Sequence, residues 1–293
     1  MLTLCVAFAF LLGCHPKTIA DLPSQYVSMH DGSKIHYKVS GSGSITLLFV
    51  HGFGCDMNVW QKQYEGFVGD PIRMIFVDLP GFGNSDKPHT DYTLDFFSQA
   101  VNQVLDTLKA SHVVLVGHSL GTAVCRQTIF NYPDKVSALC DIDGVYCFYP
   151  YHENDSSYAR QLASFAEGFR GDSCGETITS FVESLEGPFT PQEVMDYALS
   201  IMPKTPEYVA YSTMHNLIEP DNWTGEVINI PVLVMCTKNS GLDKDNKSKM
   251  DDLYNEMTYV EVENSGHFIM MEDGDIVNNL IERLYEKWKI TVL

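Results

Sequence analysis

Gly117-His118-Ser119-Leu120-Gly121 is a G-x-S-x-G sequence, the spacing that presents a serine hydroxyl on a sharp turn from strand to helix. The apolar run Val113–Val116 leads into it and a helical pattern opens at Gly121, which is the context the motif needs. A side chain at 117 or 121 would crowd such a turn, so glycine is what the geometry asks for. Ser119 would then stand at the carboxyl end of a strand and at a helix N-terminus, whose dipole favours a developing negative charge. The chemistry this suits is nucleophilic attack on a carbonyl. Other chemistries lack their residues: there is no P-loop, no G-x-G-x-x-G after a first strand and no H-E-x-x-H motif. The eight cysteines, at 5, 14, 55, 125, 140, 147, 174 and 236, form no C-x-x-C pair and no Cys/His cluster with zinc spacing. No structural metal is expected. Cys125 and Cys140 fall inside a helix and a strand, where a free cysteine is a small buried hydrophobe. A Cys147–Cys174 pairing is left open, since it depends on an oxidising compartment.

An elbow of this kind needs a sheet to carry it. Short β-rich runs at Tyr26–His30, Lys34–Val39, Thr46–Val50, Arg73–Val77, Val113–Val116, Val136–Ile142, Pro231–Cys236 and Thr258–Val262 are the strand candidates. The first two flank Asp31-Gly32 and read as an antiparallel hairpin. The later ones are continuous apolar runs, as in strands buried on both faces of a parallel sheet. Helical patterns at Asn58–Phe67, Thr93–Leu108, Gly121–Tyr132, Ser248–Glu256 and Asp275–Lys287 alternate with them. This alternation predicts an α/β class, with a doubly wound, mostly parallel sheet. It breaks between residues 146 and 225, where four helical patterns and no convincing strand occur; this stretch is expected to be an inserted helical cap.

Two more segments define the family resemblance. His51-Gly52-Phe53-Gly54 follows the strand ending at Val50, and Asp78-Leu79-Pro80-Gly81-Phe82-Gly83-Asn84-Ser85 follows the strand ending at Val77. With the elbow and the late Ser265-Gly266-His267-Phe268, these resemble the α/β-hydrolase superfamily in order and spacing, over roughly residues 26–145 and 226–290. The resemblance implies a serine hydrolase with an oxyanion hole made by the backbone N–H groups of Leu120 and Phe53 and a general base at His267. It also makes His51, Gly81 and Gly83 loop-shaping residues rather than chemical ones. A serine at 119 speaks against the haloalkane dehalogenase and epoxide hydrolase branches, which use aspartate there. The usual acid position, after the strand ending at Cys236, falls on Asn239. An amide can orient an imidazole but cannot offset imidazolium charge. Two acids are alternatives: Asp143, at the end of the preceding strand, and Asp243, a few residues beyond Asn239. The third alternative is that no acid is present.

The resemblance implies cleavage of a small or medium carboxylic ester, thioester or lactone, without a cofactor. A carbon–carbon bond hydrolase or cofactor-free peroxidase on the same scaffold is the alternative, and a non-catalytic binding protein on this fold is a third reading, supported only by Asn239.

The chain has 293 residues, 45% of them apolar, enough for a sizeable core. With 19 Lys+Arg against 38 Asp+Glu the formal net charge is −19, a field that repels nucleic acid and anionic membrane surfaces. The expected partner is a small, largely apolar molecule; oligomeric state is not legible. Residues 1–14 form an apolar run of about a dozen residues, too short to span a bilayer, ending in Leu11-Leu12-Gly13-Cys14. This ending resembles the lipobox of bacterial lipoproteins, although no Lys or Arg precedes it. Export with a lipid on Cys14 and a cytoplasmic location are the two expectations. The predicted division is a signal segment 1–14, a linker 15–25, a core of 26–145 and 226–293, and the cap 146–225.

Overall fold

The computed structural model describes residues 17–145, 156–219, 226–238 and 246–292. Eight strands form one sheet: β1 (Gln25–Ser28), β2 (Lys34–Gly41), β3 (Ile45–Val50), β4 (Ile72–Val77), β5 (Val113–His118), β6 (Val136–Ile142), β7 (Val232–Thr237) and β8 (Met257–Val262). Their order across the sheet is β1-β2-β4-β3-β5-β6-β7-β8. β1 and β2 form the expected antiparallel hairpin, and β2 also runs antiparallel to β4. From β4 to β8 every pairing is parallel. Every residue of the central strands β3 and β5 is buried, which is why they read as unbroken apolar runs rather than as alternating ones.

The flanking helices are α1 (Gln61–Phe67), α2 (Leu94–Thr107), α3 (Leu120–Asn131), α8 (Asn246–Asp251), α9 (Ile269–Glu272) and α10 (Gly274–Val292). α1 packs on α10 and α2 on α3. Four more lie between β6 and β7: α4 (Ser156–Glu167), α5 (Cys174–Ser184), α6 (Gln192–Ile201) and α7 (Glu207–Ile218). Together these elements are the α/β hydrolase architecture, a mostly parallel sheet wound with helices.

Two stretches differ from the sequence reading. The expected linker over 15–25 is folded from Thr18 onward: Ile19 is fully buried, its N–H donates to Gln61 Oε1, and Lys38 Nζ donates to the carbonyls of Ile19 and Ala20. One buried isoleucine and three long-range hydrogen bonds outweigh the polar composition around them. The helix expected over Ser248–Glu256 stops at Asp251, because Tyr254 is drawn into a bridge with Ile228 and Asn255 N–H donates to the Ile228 carbonyl. The signal segment 1–14, with Cys14, lies outside the described residues, as does Cys147. Cys174 is a buried free thiol, and Cys125 and Cys140 are fully buried. Among the described residues no helix is long and apolar enough to cross a membrane.

Candidate active site

Ser119 follows directly on β5 and precedes α3. Its φ of 52° and ψ of −121° lie where only glycine is at ease. The surroundings hold it there: Ser119 N–H donates to the Ile142 carbonyl at 3.1 Å, and Thr122 N–H donates to the Ser119 carbonyl at 3.0 Å. The glycines on either side are needed for space. A methyl at Gly121 would sit 2.2 Å from the Val50 carbonyl oxygen, and one at Gly117 would sit 2.7 Å from the Gly121 carbonyl oxygen.

Asp143 follows directly on β6, the strand beside β5. It too has positive φ, 47°, in the left-handed region that aspartate tolerates better than most residues. Its N–H donates to the Met235 carbonyl at 2.7 Å, which anchors it to β7. The carboxylate is fully buried and has two partners: Thr237 N–H donates to Oδ1 at 3.1 Å, and His267 Nδ1 lies 2.7 Å from Oδ2. Of the two acids offered by the sequence, Asp143 lies on His267; Asp243, like Asn239, lies outside the described residues.

His267 sits between β8 and α9, and three side chains fix its segment. Glu272 accepts from the N–H groups of Gly266 and Phe268 on either side of it. Thr237 Oγ1 donates to the Ser265 carbonyl. His118 Nε2 donates to the His267 carbonyl at 2.9 Å, with the two imidazole centroids 4.6 Å apart. Burial, and next the neighbouring His267, hold His118 well below the usual histidine range, so it stays neutral. With Nδ1 of His267 taken by Asp143, Nε2 is the other ring nitrogen. Ser119 and His267 keep 8% and 7% of their surface exposed.

Leu120 opens α3, where the first N–H groups have no partner within the helix. Phe53 lies on the loop after β3, which closes against the elbow: a methyl on Gly52 would approach Ser119 Cβ to 3.1 Å. His51 is consumed in holding that loop. Its Nε2 accepts from Leu79 N–H at 3.0 Å and its Nδ1 donates to the Gly52 carbonyl at 2.8 Å, and burial keeps it neutral. Asp78 ties the two loops together by accepting from Met57 N–H, Asn84 N–H and His36 Nδ1 at 2.8–2.9 Å. Burial pushes its carboxyl up, but His36, His51 and these N–H groups outweigh it and leave it below the usual range. Gly81 and Gly83 both have positive φ in this loop.

His118, Thr237, Glu272 and Asp78 were not assigned from the sequence. Only Asp78 carried a signal, as the residue that opens the Gly-rich stretch. A cleft of about 750 Å³ beside α7, lined by His89, Arg170, Tyr208 and Tyr211 among others, does not include Ser119, Asp143 or His267.

The chain matches the alpha/beta hydrolase fold family over residues 45–274 and belongs to it. Among curated relatives, a 2-hydroxy-6-oxononadienedioate/2-hydroxy-6-oxononatrienedioate hydrolase of Paraburkholderia phymatum is 33% identical over 128 residues, covering 41% of this chain and 44% of that protein. A 2-(acetamidomethylene)succinate hydrolase of Mesorhizobium japonicum is 33% identical over 122 residues, covering 42% of each chain. The chain thus spans less than half the length of the curated relatives it matches. Among solved structures, an esterase from Exiguobacterium antarcticum superposes with a TM-score of 0.78 at 19% identity, covering 90% of this chain and all of that one. An esterase from Thermogutta terrifontis gives 0.78 at 21% identity, covering 90% and 98%. At such identities these structures show the shared fold alone.

Proposed function

We propose that the protein is a serine hydrolase that cleaves a small or medium carboxylic ester, thioester or lactone through an acyl-enzyme on Ser119. The observation that carries this reading is the buried carboxylate of Asp143 on His267 Nδ1, one strand away from a serine held in a strained elbow. Strained backbone persists only where the surroundings over-determine it, and it gathers at functional sites. Here two adjacent strand ends both show it.

In this reading Ser119 Oγ attacks the substrate carbonyl while His267 Nε2 takes its proton. Asp143 keeps Nδ1 protonated and offsets the imidazolium charge. The N–H groups of Leu120 and Phe53 receive the oxyanion, and such donors contribute about a hundredfold to a thousandfold each. His267 then protonates the leaving group, and water attacks the acyl-enzyme by the same steps in reverse. The helices α4–α7 form the cap that shapes the acyl and alcohol pockets.

A fluorophosphonate probe should label the protein once, at Ser119, and Ser119→Ala should abolish both labelling and the hydrolysis of p-nitrophenyl esters. A folded wild type that stays unlabelled and inactive across an ester chain-length series would sink the proposal. Carbon–carbon bond hydrolysis is a second reading, favoured by the Paraburkholderia relative. Turnover of vinylogous diketones exceeding that of every ester would establish it in place of the first.

A further inference from the structure

Asp141 is fully buried in the middle of the sheet, on β6, two residues before Asp143. Its Cα neighbours are Gly117 on β5 and Val234 on β7. A position between two parallel neighbours is ordinarily apolar, and a carboxylate there carries a large desolvation penalty unless it is well bonded. Burial pushes Asp141 up to about 7 even though Thr122, Tyr254 and Arg126 draw it down. A packed aliphatic residue would be cheaper, which asks what the carboxylate does.

Its partners give the answer. Asp141 Oδ1 accepts from Thr122 Oγ1 and from Gly144 N–H, each at 3.2 Å. Thr122 stands in the first turn of α3, and its Oγ1 also lies 3.2 Å from the Gly117 carbonyl oxygen, at the start of the elbow. Gly144 is the residue after Asp143. A single oxygen therefore touches both the helix start behind Ser119 and the turn that carries Asp143. Oδ2 is used differently: it accepts from Tyr254 Oη at 3.3 Å.

We propose that Asp141 is a positioning residue, whose buried carboxylate ties the start of α3 to the Asp143–Gly144 turn and so fixes the spacing of Ser119 and Asp143 across β5 and β6. The proposal rests on the reading of Ser119, His267 and Asp143 given above. Both turns have positive-φ residues that would relax if released, and a displacement of about 1 Å at a catalytic group can lower a rate a hundredfold. No other described side chain accepts from both turns.

The test uses the full chain with a p-nitrophenyl ester, counting intact sites by fluorophosphonate labelling carried to completion. Asp141→Ala should lower kcat per labelled site by about tenfold to a hundredfold with KM within about twofold. Asp141→Asn keeps an acceptor oxygen for Thr122 and Gly144 and should restore kcat to within about threefold. Thr122→Val, which cuts one arm, should fall between them, whereas Tyr254→Phe, which on Asp141 removes only the partner of Oδ2, should leave kcat within about twofold. A merely structural role for Asp141 would lower the melting temperature of Asp141→Ala and Tyr254→Phe alike and leave kcat per labelled site unchanged. That outcome, or an Asp141→Asn variant as impaired as Asp141→Ala, overturns the proposal. If Asp141→Ala does not fold, Thr122→Val decides: unchanged kcat rejects the tie. Activity that survives in Ser119→Ala would instead reject the proposed function itself.

Discussion

Two aspartates separated by one residue, Asp141 on β6 and Asp143 just past its end, are asked to do opposite things. Asp143 is bonded to an imidazole and a backbone N–H, an arrangement that keeps a charge useful. Replacing it by asparagine preserves the hydrogen bond to His267 but removes the charge that offsets imidazolium. We expect Asp143→Asn to lower kcat by about a thousandfold to ten-thousandfold with little change in KM, read from steady-state kinetics on an ester. Asp141 is bonded to neutral donors in a dry interior, with Arg126 and Cys125 on α3, Cys140 and Asp143 on its own strand and beyond, Cys236 on β7 and Tyr254 as its ionisable surroundings. Burial pushes its carboxyl up to about 7 in the folded chain, from an ordinary value near 3.8. Between those values the native state holds a proton that the unfolded chain has released, so stability declines as pH rises through this window and levels off above it. Asp141→Asn, which cannot titrate, should lose less melting temperature than wild type between pH 5 and 8, measured by calorimetry in matched buffers. Equal slopes would show that burial does not raise this carboxyl.

At the scale of elements, the turns around Ser119 leave no slack. Gly121→Ala should cost at least about 1–3 kcal/mol of stability and abolish labelling, because the new methyl meets the backbone of β3 rather than a movable side chain. Gly175, in the first turn of α5, is the control: its nearest neighbour would be the Pro203 carbonyl oxygen at 3.7 Å. Gly175→Ala should raise stability by about 0.4–1 kcal/mol, chiefly by restricting the unfolded chain. Denaturant midpoints at constant slope would check both. The contrast also shows what a sequence conveys about elements. β3 to β7 were legible because burial on two faces leaves a continuous apolar run, β1 and β2 because they flank the Asp31-Gly32 turn, and the elbow at Ser119 because its motif is local. His118 and Thr237 were not, because each bonds a backbone group of Ser265–His267 distant along the chain, and Glu272 was not, because its bonds to Gly266 and Phe268 close a local turn that no periodicity announces. Asp143 was legible only as one of several alternatives, since its pairing with His267 spans 124 positions.

For the whole molecule, the excess of acidic residues sets the field through which a substrate arrives. Charges of one sign raise the local concentration of counter-ions and speed their encounter, an effect that salt screens. An ester carrying a quaternary ammonium should therefore lose kcat/KM by several-fold between about 0.02 and 0.5 M salt, while its neutral isostere changes by less than about twofold. Parallel responses of the two esters would mean that the field does not reach the site.

The segment between β6 and β7 packs directly on residues 53–56 of the loop after β3. The Phe53 ring stands edge-on to Phe169 and Phe181, a methyl at Gly54 would lie 3.0 Å from the Met202 side chain, and Tyr197 Oη donates to Asp56 at 2.6 Å. On the proposed reading, the loop that would carry one oxyanion donor is thus moulded on its outer side by the segment that would shape the substrate pocket. Variation there is constrained in a particular way: a lineage can remodel the distant parts of α4–α7 freely, but the few side chains that face residues 53–56 must be inherited together with that loop. A graft exchanging these helices for those of a relative would import a new preference and, unless Phe169, Phe181, Tyr197 and Met202 came with their partners, would misplace the N–H group of Phe53 and lose turnover on every substrate at once.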